Sequence, residues 1–509
     1  MNGDSNRGAR IARNTLMLYV RMLVLMLVGL YTSRVVLEAL GETDFGIYSV
    51  VGGVVAMFTI ISGALNSAVQ RFITFEMGKG PQAQLNKVYS TAVTIQLILA
   101  AIIVIIAEPV GLWFIRNEMT ISPDRIPAAE CVLHFSLLAF VVNLMSVPQM
   151  ASITAHEKMS AYAYIGILDG LLRLGTALLI MHSGGERLVR YAALMALTVI
   201  LVRAAYGIYC RRHFEECRYR PVFDRKLIGE MFAFAGWNFV GVTSGVLRDQ
   251  GGNILVNLFS GPAVNAARGL AVQLNGAVQS FVTNFMTAVN PQITKSYAAG
   301  DHGYMFSLVR RSSRMSFYLL LMIVLPLVLN TEAVLGLWLK DVPEHTELFV
   351  QLFLIFALSE SLSNPMITAM LATGRIRNYQ LVVGGIQLLN IPISYVLLRF
   401  GAMPEVTVMV AVALSQVCLF ARMLMLGRAT GFPIGEFLNK VYVKTIVCVL
   451  PSAASVPVLF QFVKPAGIPG AAASVAVCLI WTALIIYFIG MDSDERNMVR
   501  GLLTKRRGG

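Results

Sequence analysis

Long apolar runs separated by short polar breaks dominate the chain. Segments such as Val93–Ala107, Met315–Leu329 and Leu381–Leu398 carry few or no charges. Each approaches or reaches the roughly 20 residues a helix needs to cross hydrocarbon. Strict apolar/polar alternation, the mark of a membrane barrel, is absent, and backbone polar groups in lipid must be satisfied within their own segment, so helices are predicted. The runs place spans near 15–37, 46–69, 88–115, 127–150, 160–181, 189–209, 229–259, 263–290, 313–338, 347–371, 380–399, 405–427, 442–463 and 468–490. The expected fold class is therefore all-α, a polytopic membrane protein of about 14 transmembrane helices.

The two halves of the pattern resemble each other. Pro148–Tyr162 aligns without gaps on Pro365–Tyr379, Ala155 meeting Ala372 and Lys158 meeting Arg375. The third span ends EPVGLWF at Glu108–Phe114 and the ninth EAVLGLWL at Glu332–Leu339. Gly41 recurs as Gly261, and Lys79-Gly80 as Gly300-Asp301. Six helices per copy is an even number, so both copies enter the membrane with one orientation, which predicts two six-helix lobes related by a pseudo-twofold along the membrane normal. The expected divisions are an N-terminal lobe over 1–210, a cytoplasmic linker at 211–228, a C-terminal lobe over 229–427, and two further helices with a basic tail over 428–509. These two helices lie outside the repeat, and the sequence assigns them no role beyond packing or lateral substrate access.

Composition changes the picture in one respect. Of 509 residues 56% are apolar and only 14% charged, where a soluble chain carries about 25%; the multidomain soluble protein that length alone would suggest is set aside. The net charge of +13 suggests nucleic acid until its location is considered. About 27 of the 41 Lys and Arg fall in alternate loops and the tails, whereas acids divide almost evenly, as the positive-inside rule requires. Both termini and the loops at Arg211–Lys226 and Arg310–Arg314 are placed in the cytoplasm, and no nucleic-acid partner is expected. The apolar run after the basic N-terminus is too long for a cleaved signal. Cys131, Cys210, Cys217, Cys418, Cys448 and Cys478 show no zinc or disulfide spacing, and are read as inert buried thiols.

No P-loop, G-x-S-x-G or H-E-x-x-H occurs, and the six histidines are dispersed, so neither an enzyme nor a cofactor is expected. The candidate chemistry is intramembrane charge, which costs at least ~2.5–3.5 kcal/mol at the bilayer centre and so faces water or a partner. Arg203 and Arg422 lie near cytoplasmic span ends, where snorkelling is expected. Asp169 and Arg173 are i,i+4 neighbours and are read as neutralising each other, and Arg34 with Glu38 similarly. Arg248 and Asp249 in span seven and Glu360 in span ten lie near mid-membrane and are read as functional, with Asp249 and Glu360 as candidate ion-coupling carboxyls. In span eight Arg268, Asn275, Gln279, Thr283 and Asn290 share one helical face. Interhelical amide bonding would explain such a stripe; an arginine at its head, with Arg248 on the preceding helix, favours an anion-lined cavity, because guanidinium forks pair bidentately with phosphate and carboxylate.

Residues 227–301 also carry a resemblance. GPAVNAARG at 261–269 and NPQITKSYAAGD at 290–301, with the opening Asn14–Phe58, resemble the polysaccharide flippases of the multidrug/oligosaccharidyl-lipid/polysaccharide exporter superfamily, and more narrowly the bacterial O-antigen and capsule repeat-unit flippases. The resemblance implies a V-shaped inner-membrane transporter whose first, second, seventh and eighth helices line a cationic cavity. It implies a substrate of short oligosaccharide on undecaprenyl pyrophosphate, turned from the cytoplasmic to the periplasmic leaflet, with membrane lipids and a polysaccharide polymerase as further partners. By position Arg21, Arg34, Arg248 and Arg268 fall on those helices and become candidate substrate-binding residues with Asn275 and Gln279. A drug-exporting relative in the same superfamily would have a more acidic, hydrophobic cavity. A non-transporting scaffold would leave the intramembrane charges unexplained.

Overall fold

The computed structural model of the protein describes residues 2–56, 59–80, 83–117, 119, 121–339, 342–454, 467–492 and 495–496. Every regular element among them is helical. In chain order they are α1 (Asn2–Ala56), α2 (Thr59–Gly78), α3 (Leu85–Asn117), α4 (Ile126–Ala155), α5 (Met159–Met181), α6 (Arg187–His213) and α7 (Arg225–Ala298). They continue as α8 (His302–Leu329), α9 (Thr331–Trp338), α10 (Thr346–Thr373), α11 (Arg377–Leu388), α12 (Asn390–Arg399), α13 (Val406–Thr430) and α14 (Ile434–Phe437). The last two are α15 (Lys444–Ala454) and α16 (Gly467–Ile485).

Ten segments among the described residues are long and apolar enough to cross a membrane, which makes this a multi-pass membrane protein. The expected spans at 229–259 and 263–290 both lie on α7, whose charged and amide side chains keep it out of that set. The expected span at 442–463 runs past Ala454 to residues outside the described ones, as does the basic tail.

Within α1 and within α7 two helices meet at a kink, and in each case the residue at the kink is glycine. Gly41 divides α1 at φ 77°, ψ 171°, and Gly261 divides α7 at φ 82°, ψ 179°. A Cβ is disfavoured in that region, which is essentially glycine's alone. The internal repeat is thus written in the backbone. Further positive-φ residues pair at nearly the same offset: Gly80 with Gly300, Glu157 with Gly374, and Gly185 with Gly401. Glu157 is the exception in kind, a non-glycine doing in the first copy what Gly374 does at the end of α10 in the second.

The chain divides into two compact units, one over 11–242 and the other over 243–509 with 1–10. In the first, α4 is the central helix, packed on α2, α3 and α6. Its core is aliphatic and small: Ile103, Ala107 and Ile115 of α3 meet Ala129, Val132, Leu133 and Leu144 of α4. Gly111 lets α3 approach closely, since a Cβ there would meet Leu133 at 2.6 Å. In the second unit α10 holds the corresponding place between α8 and α13. The helices beyond the repeat are packed on α8, α15 and α16 both touching it. Tyr318 of α8, fully buried, donates to the carbonyl of Gly490 and lies beside Cys448.

That attachment is also ionic. Arg314 of α8, buried, pairs with Glu495 at 2.5 Å and Asp492 at 2.6 Å, and donates to the Lys440 carbonyl. Asp492 also pairs with Lys444. Burial alone would raise the Asp492 carboxyl, but the hydrogen bond from Lys444 and the Arg314 charge hold it below the ordinary carboxylate range.

Candidate functional site

In the second unit the charged residues of α7 are set by glycine. A Cβ on Gly251 would meet Ile391 of α12 at 2.6 Å, and one on Gly384 of α11 would meet the Ser244 hydroxyl at 2.7 Å. α7 therefore lies close against α11 and α12. Gly252 makes room for Arg268, whose Nη2 would be 3.1 Å from a Cβ there. Arg268 is 6% exposed. It reaches back across the Gly261 break to donate to the Asp249 carbonyl at 2.9 Å and the Asn253 side-chain oxygen at 3.2 Å. Its Nε is buried without a hydrogen-bond partner among the described residues, so the five-donor guanidinium is not saturated.

Phe353 and Phe356, one turn apart on α10, face these two cations. The Arg268 guanidinium carbon is 5.4 Å from the Phe353 ring centre and that of Arg248 is 4.8 Å from Phe356. Each such contact is worth about 0.5–2 kcal/mol. Arg248 also pairs with Asp249 at 2.9 Å, and the Asp249 side chain is 57% exposed. The arrangement holds two guanidinium groups on aromatic faces beside one exposed carboxylate, a geometry suited to an oxyanion of a polar ligand.

The polar stripe below Arg268 is mixed in character. The Asn275 side-chain oxygen is buried without a partner among the described residues, whereas Gln279 is half-buried and its carbonyl accepts from Thr283. Asn290 accepts a hydrogen bond from Thr368 of α10 at 2.8 Å. The lower end of the stripe is thus an interhelical bond, the blander of the two readings.

Glu360 of α10 is not a lone carboxyl. Arg422 of α13 lies 3.5 Å from it, and only 2% of Arg422 is exposed. The expected snorkelling of Arg422 is therefore wrong. Glu360, with the Tyr379 hydroxyl beside it, gives the guanidinium partners inside the unit, and burial with partners outweighs a reach for the surface. Arg203 likewise turns inward, donating to the Val142 carbonyl of α4.

In the first unit Arg21 of α1 lies 4.6 Å from the Tyr162 ring centre and against Gly166 of α5, where a Cβ would sit 2.2 Å from its Nε. Arg34 and Glu38 are exposed, and no ion pair joins them among the described residues. Asp169 and Arg173 pair at 2.9 Å along α5, as their spacing predicts. The cation-bearing aromatic residues, Tyr162, Phe353 and Phe356, escaped the sequence reading. So did Arg71, which lies 4.4 Å from the Phe75 ring centre with Phe72 and Phe234 nearby. Their signal was an aromatic residue three or four positions from another on a helix opposite an arginine, which single-sequence patterning does not pair.

The loops carry ordinary ion pairs. Asp224 caps α7, accepting from the amides of Lys226 and Leu227, and pairs with Lys87 at 2.6 Å; the Lys87 hydrogen bond holds its carboxyl below the usual range. Glu216 bonds His156 at 2.5 Å under a stacked Phe214.

The fold is shared with known membrane proteins of one superfamily. A multidrug resistance MATE family transporter of the MOP superfamily, in an outward-facing conformation, superposes with TM-score 0.70 at 12% identity, over 84% of this chain and 96% of its own. A MATE protein in the bent conformation gives 0.72 at 12% identity, over 83% and 96%. A MOP superfamily transporter from Pyrococcus furiosus, described as having a binding pocket of reverse polarity that suggests a different function, gives 0.69 at 12%, over 84% and 96%. A search of curated proteins returned no match. The family model for "Polysaccharide biosynthesis protein" matches residues 11–297. The chain belongs to that family.

Proposed function

We propose that this protein flips undecaprenyl-pyrophosphate-linked oligosaccharide repeat units from the cytoplasmic to the periplasmic leaflet of a bacterial inner membrane, by alternating access, with both termini cytoplasmic. The observation that carries the reading is the paired guanidinium groups of Arg248 and Arg268, held against Phe356 and Phe353 in the membrane-spanning part of a polysaccharide biosynthesis protein. A phosphate cannot cross hydrocarbon unpaired, since stripping water from an isolated charge costs several kcal/mol or more. Charge-assisted hydrogen bonds of ~1.5–3 kcal/mol each offset that cost. Arg248 is the nearer contact; Arg268, tied to Asp249 and Asn253, presents charge from a braced position. Arg21, Arg34, Asn275 and Gln279 complete the proposed substrate-binding set, and Asp249 and Glu360 the proposed coupling carboxyls.

The rival is cation-coupled drug efflux, which the MATE neighbours' fold keeps in view. Surface polysaccharide in a flippase-null strain, normalised to membrane-inserted protein, tests the reading. Arg248→Lys and Arg268→Lys should retain partial function, and both Ala variants should lose it at normal protein levels. Full polysaccharide from the double Ala variant would refute substrate binding by these residues, and a loss that tracks protein level would assign them to bracing.

A further inference from the structure

A cavity of about 330 Å³ lies within the first unit, apart from every residue used above except the Asp169–Arg173 pair. Its walls are the Leu25–Val36 stretch of α1, the Asp169, Gly170 and Arg173 turn of α5, and Tyr191 of α6. Gly170 lets Leu25 of α1 lie close against α5 at the cavity wall, since a Cβ there would meet Leu25 at 2.5 Å. Tyr191 is buried and packs edge-on to Tyr48 at 4.8 Å, giving the cavity an aromatic floor.

We propose that this cavity is a subsite for one pyranose ring of the oligosaccharide; the inference rests on the flippase reading given above. The volume stands at the lower end of the ~300–1,000 Å³ typical of ligand pockets, room for a single ring and not for a whole repeat unit. The lining chemistry selects a neutral polyol over an ion. Arg173 Nε already bonds Asp169 Oδ1 at 2.9 Å, so the carboxylate is charge-compensated and a cation would have to displace the guanidinium. What the pair still offers is mixed. The second carboxylate oxygen accepts, and the terminal guanidinium amines donate. Both side chains are partly exposed, 30% for Asp169 and 41% for Arg173. A sugar hydroxyl is at once donor and acceptor, and two neighbouring hydroxyls match an acceptor and a donor fork held side by side. Thr32, whose hydroxyl donates to the Val28 carbonyl, keeps its own oxygen lone pair for a further hydroxyl.

The test uses the full-length protein in nanodiscs and saturation-transfer NMR with the methyl glycosides of glucose, galactose, mannose and N-acetylglucosamine. At least one glycoside should take up saturation, and Asp169→Asn/Arg173→Gln should reduce that signal at least tenfold. The double variant removes both charges together, so neither is stranded in the membrane. Its folding is checked by size exclusion and by glycoside-independent thermal melting. Thr32→Val is a second, milder variant, expected to weaken uptake about threefold without disturbing the ion pair. Sodium binding is measured in parallel with a radioactive tracer. Absence of saturation in the wild type, equal saturation in the folded double variant, or tracer sodium bound by the wild type and lost in that variant would each overturn the subsite. The flippase reading fails separately, by absence of polysaccharide when the wild type is expressed in a flippase-null strain.

Discussion

Four arginines on the helices, among the described residues, each lie against one specific partner. Arg21 lies on Tyr162, Arg248 on Phe356, Arg268 on Phe353, and Arg422 on Glu360. The charges themselves were legible in the sequence because a charged residue in an apolar run stands out; their partners were not, because partner and charge sit on different helices. The Glu360–Arg422 pair yields a prediction at this scale. Removing one partner of a buried pair costs about 3–5 kcal/mol, whereas replacing both by apolar residues is often near neutral. Arg422→Met alone should lower the melting temperature in detergent markedly, and Glu360→Leu/Arg422→Met should recover most of the loss. If Glu360 is also a coupling carboxyl, the recovered double variant should lose its response to imposed proton or sodium gradients in liposomes. An unchanged response would leave the pair purely structural.

At the scale of helices, the existence of most elements was legible and their ends less so. Apolar length announced the spans, but not that helices on either side of Gly41 and of Gly261 would join at the glycine itself. The sequence marked Gly41 and Gly261 as equivalent and placed a span on either side of each, and in both places two helices meet at the glycine with no loop between them. The break also explains how Arg268 reaches Asp249: without the turn at Gly261 the two would lie nineteen residues apart along one rod. Gly261→Ala should therefore destabilise by roughly 1–3 kcal/mol, the usual strain of a non-glycine residue in such a region. It should also cut polysaccharide output beyond what the loss of protein explains, since it disturbs the Arg268 tether. Thermal melting beside output per inserted protein separates the two effects. Output that falls only in step with protein would show the tether to be dispensable.

For the whole molecule, the repeat was the most informative reading of the sequence. Matched residues at an offset near 217–220 become matched positive-φ turns, Glu157 with Gly374 and Gly80 with Gly300. The conserved shape of those turns leaves room for differing chemistry around them. Beside Glu157, the first unit binds its following loop through His156 and Glu216. Burial tends to raise the Glu216 carboxyl, but the hydrogen bond from His156 prevails and holds it below the ordinary range. A carboxyl whose folded pKa is lowered adds stability that is complete above its unfolded value, near 4.3, and fades as pH falls through the folded one. The melting-temperature gap between wild type and Glu216→Gln should thus be full at neutral pH and close below about pH 4. A gap that stays constant down to pH 3 would remove Glu216 from the account of acid stability.

The clamp at Arg314 has a bearing on genetics. Deleting the chain beyond Val443 removes Asp492, Glu495 and their helices at one stroke, leaving the Arg314 guanidinium on α8 with neither counter-ion. Such a deletion would look lethal to the whole protein even if α15 and α16 had no task in moving substrate. Suppressors selected from that deletion should fall at Arg314 itself, with methionine or leucine as the favoured replacements, because an apolar side chain there asks for no partner. Suppressors that restore folded protein but not polysaccharide would give the last two helices a task of their own; suppressors that restore both would make them a fitting.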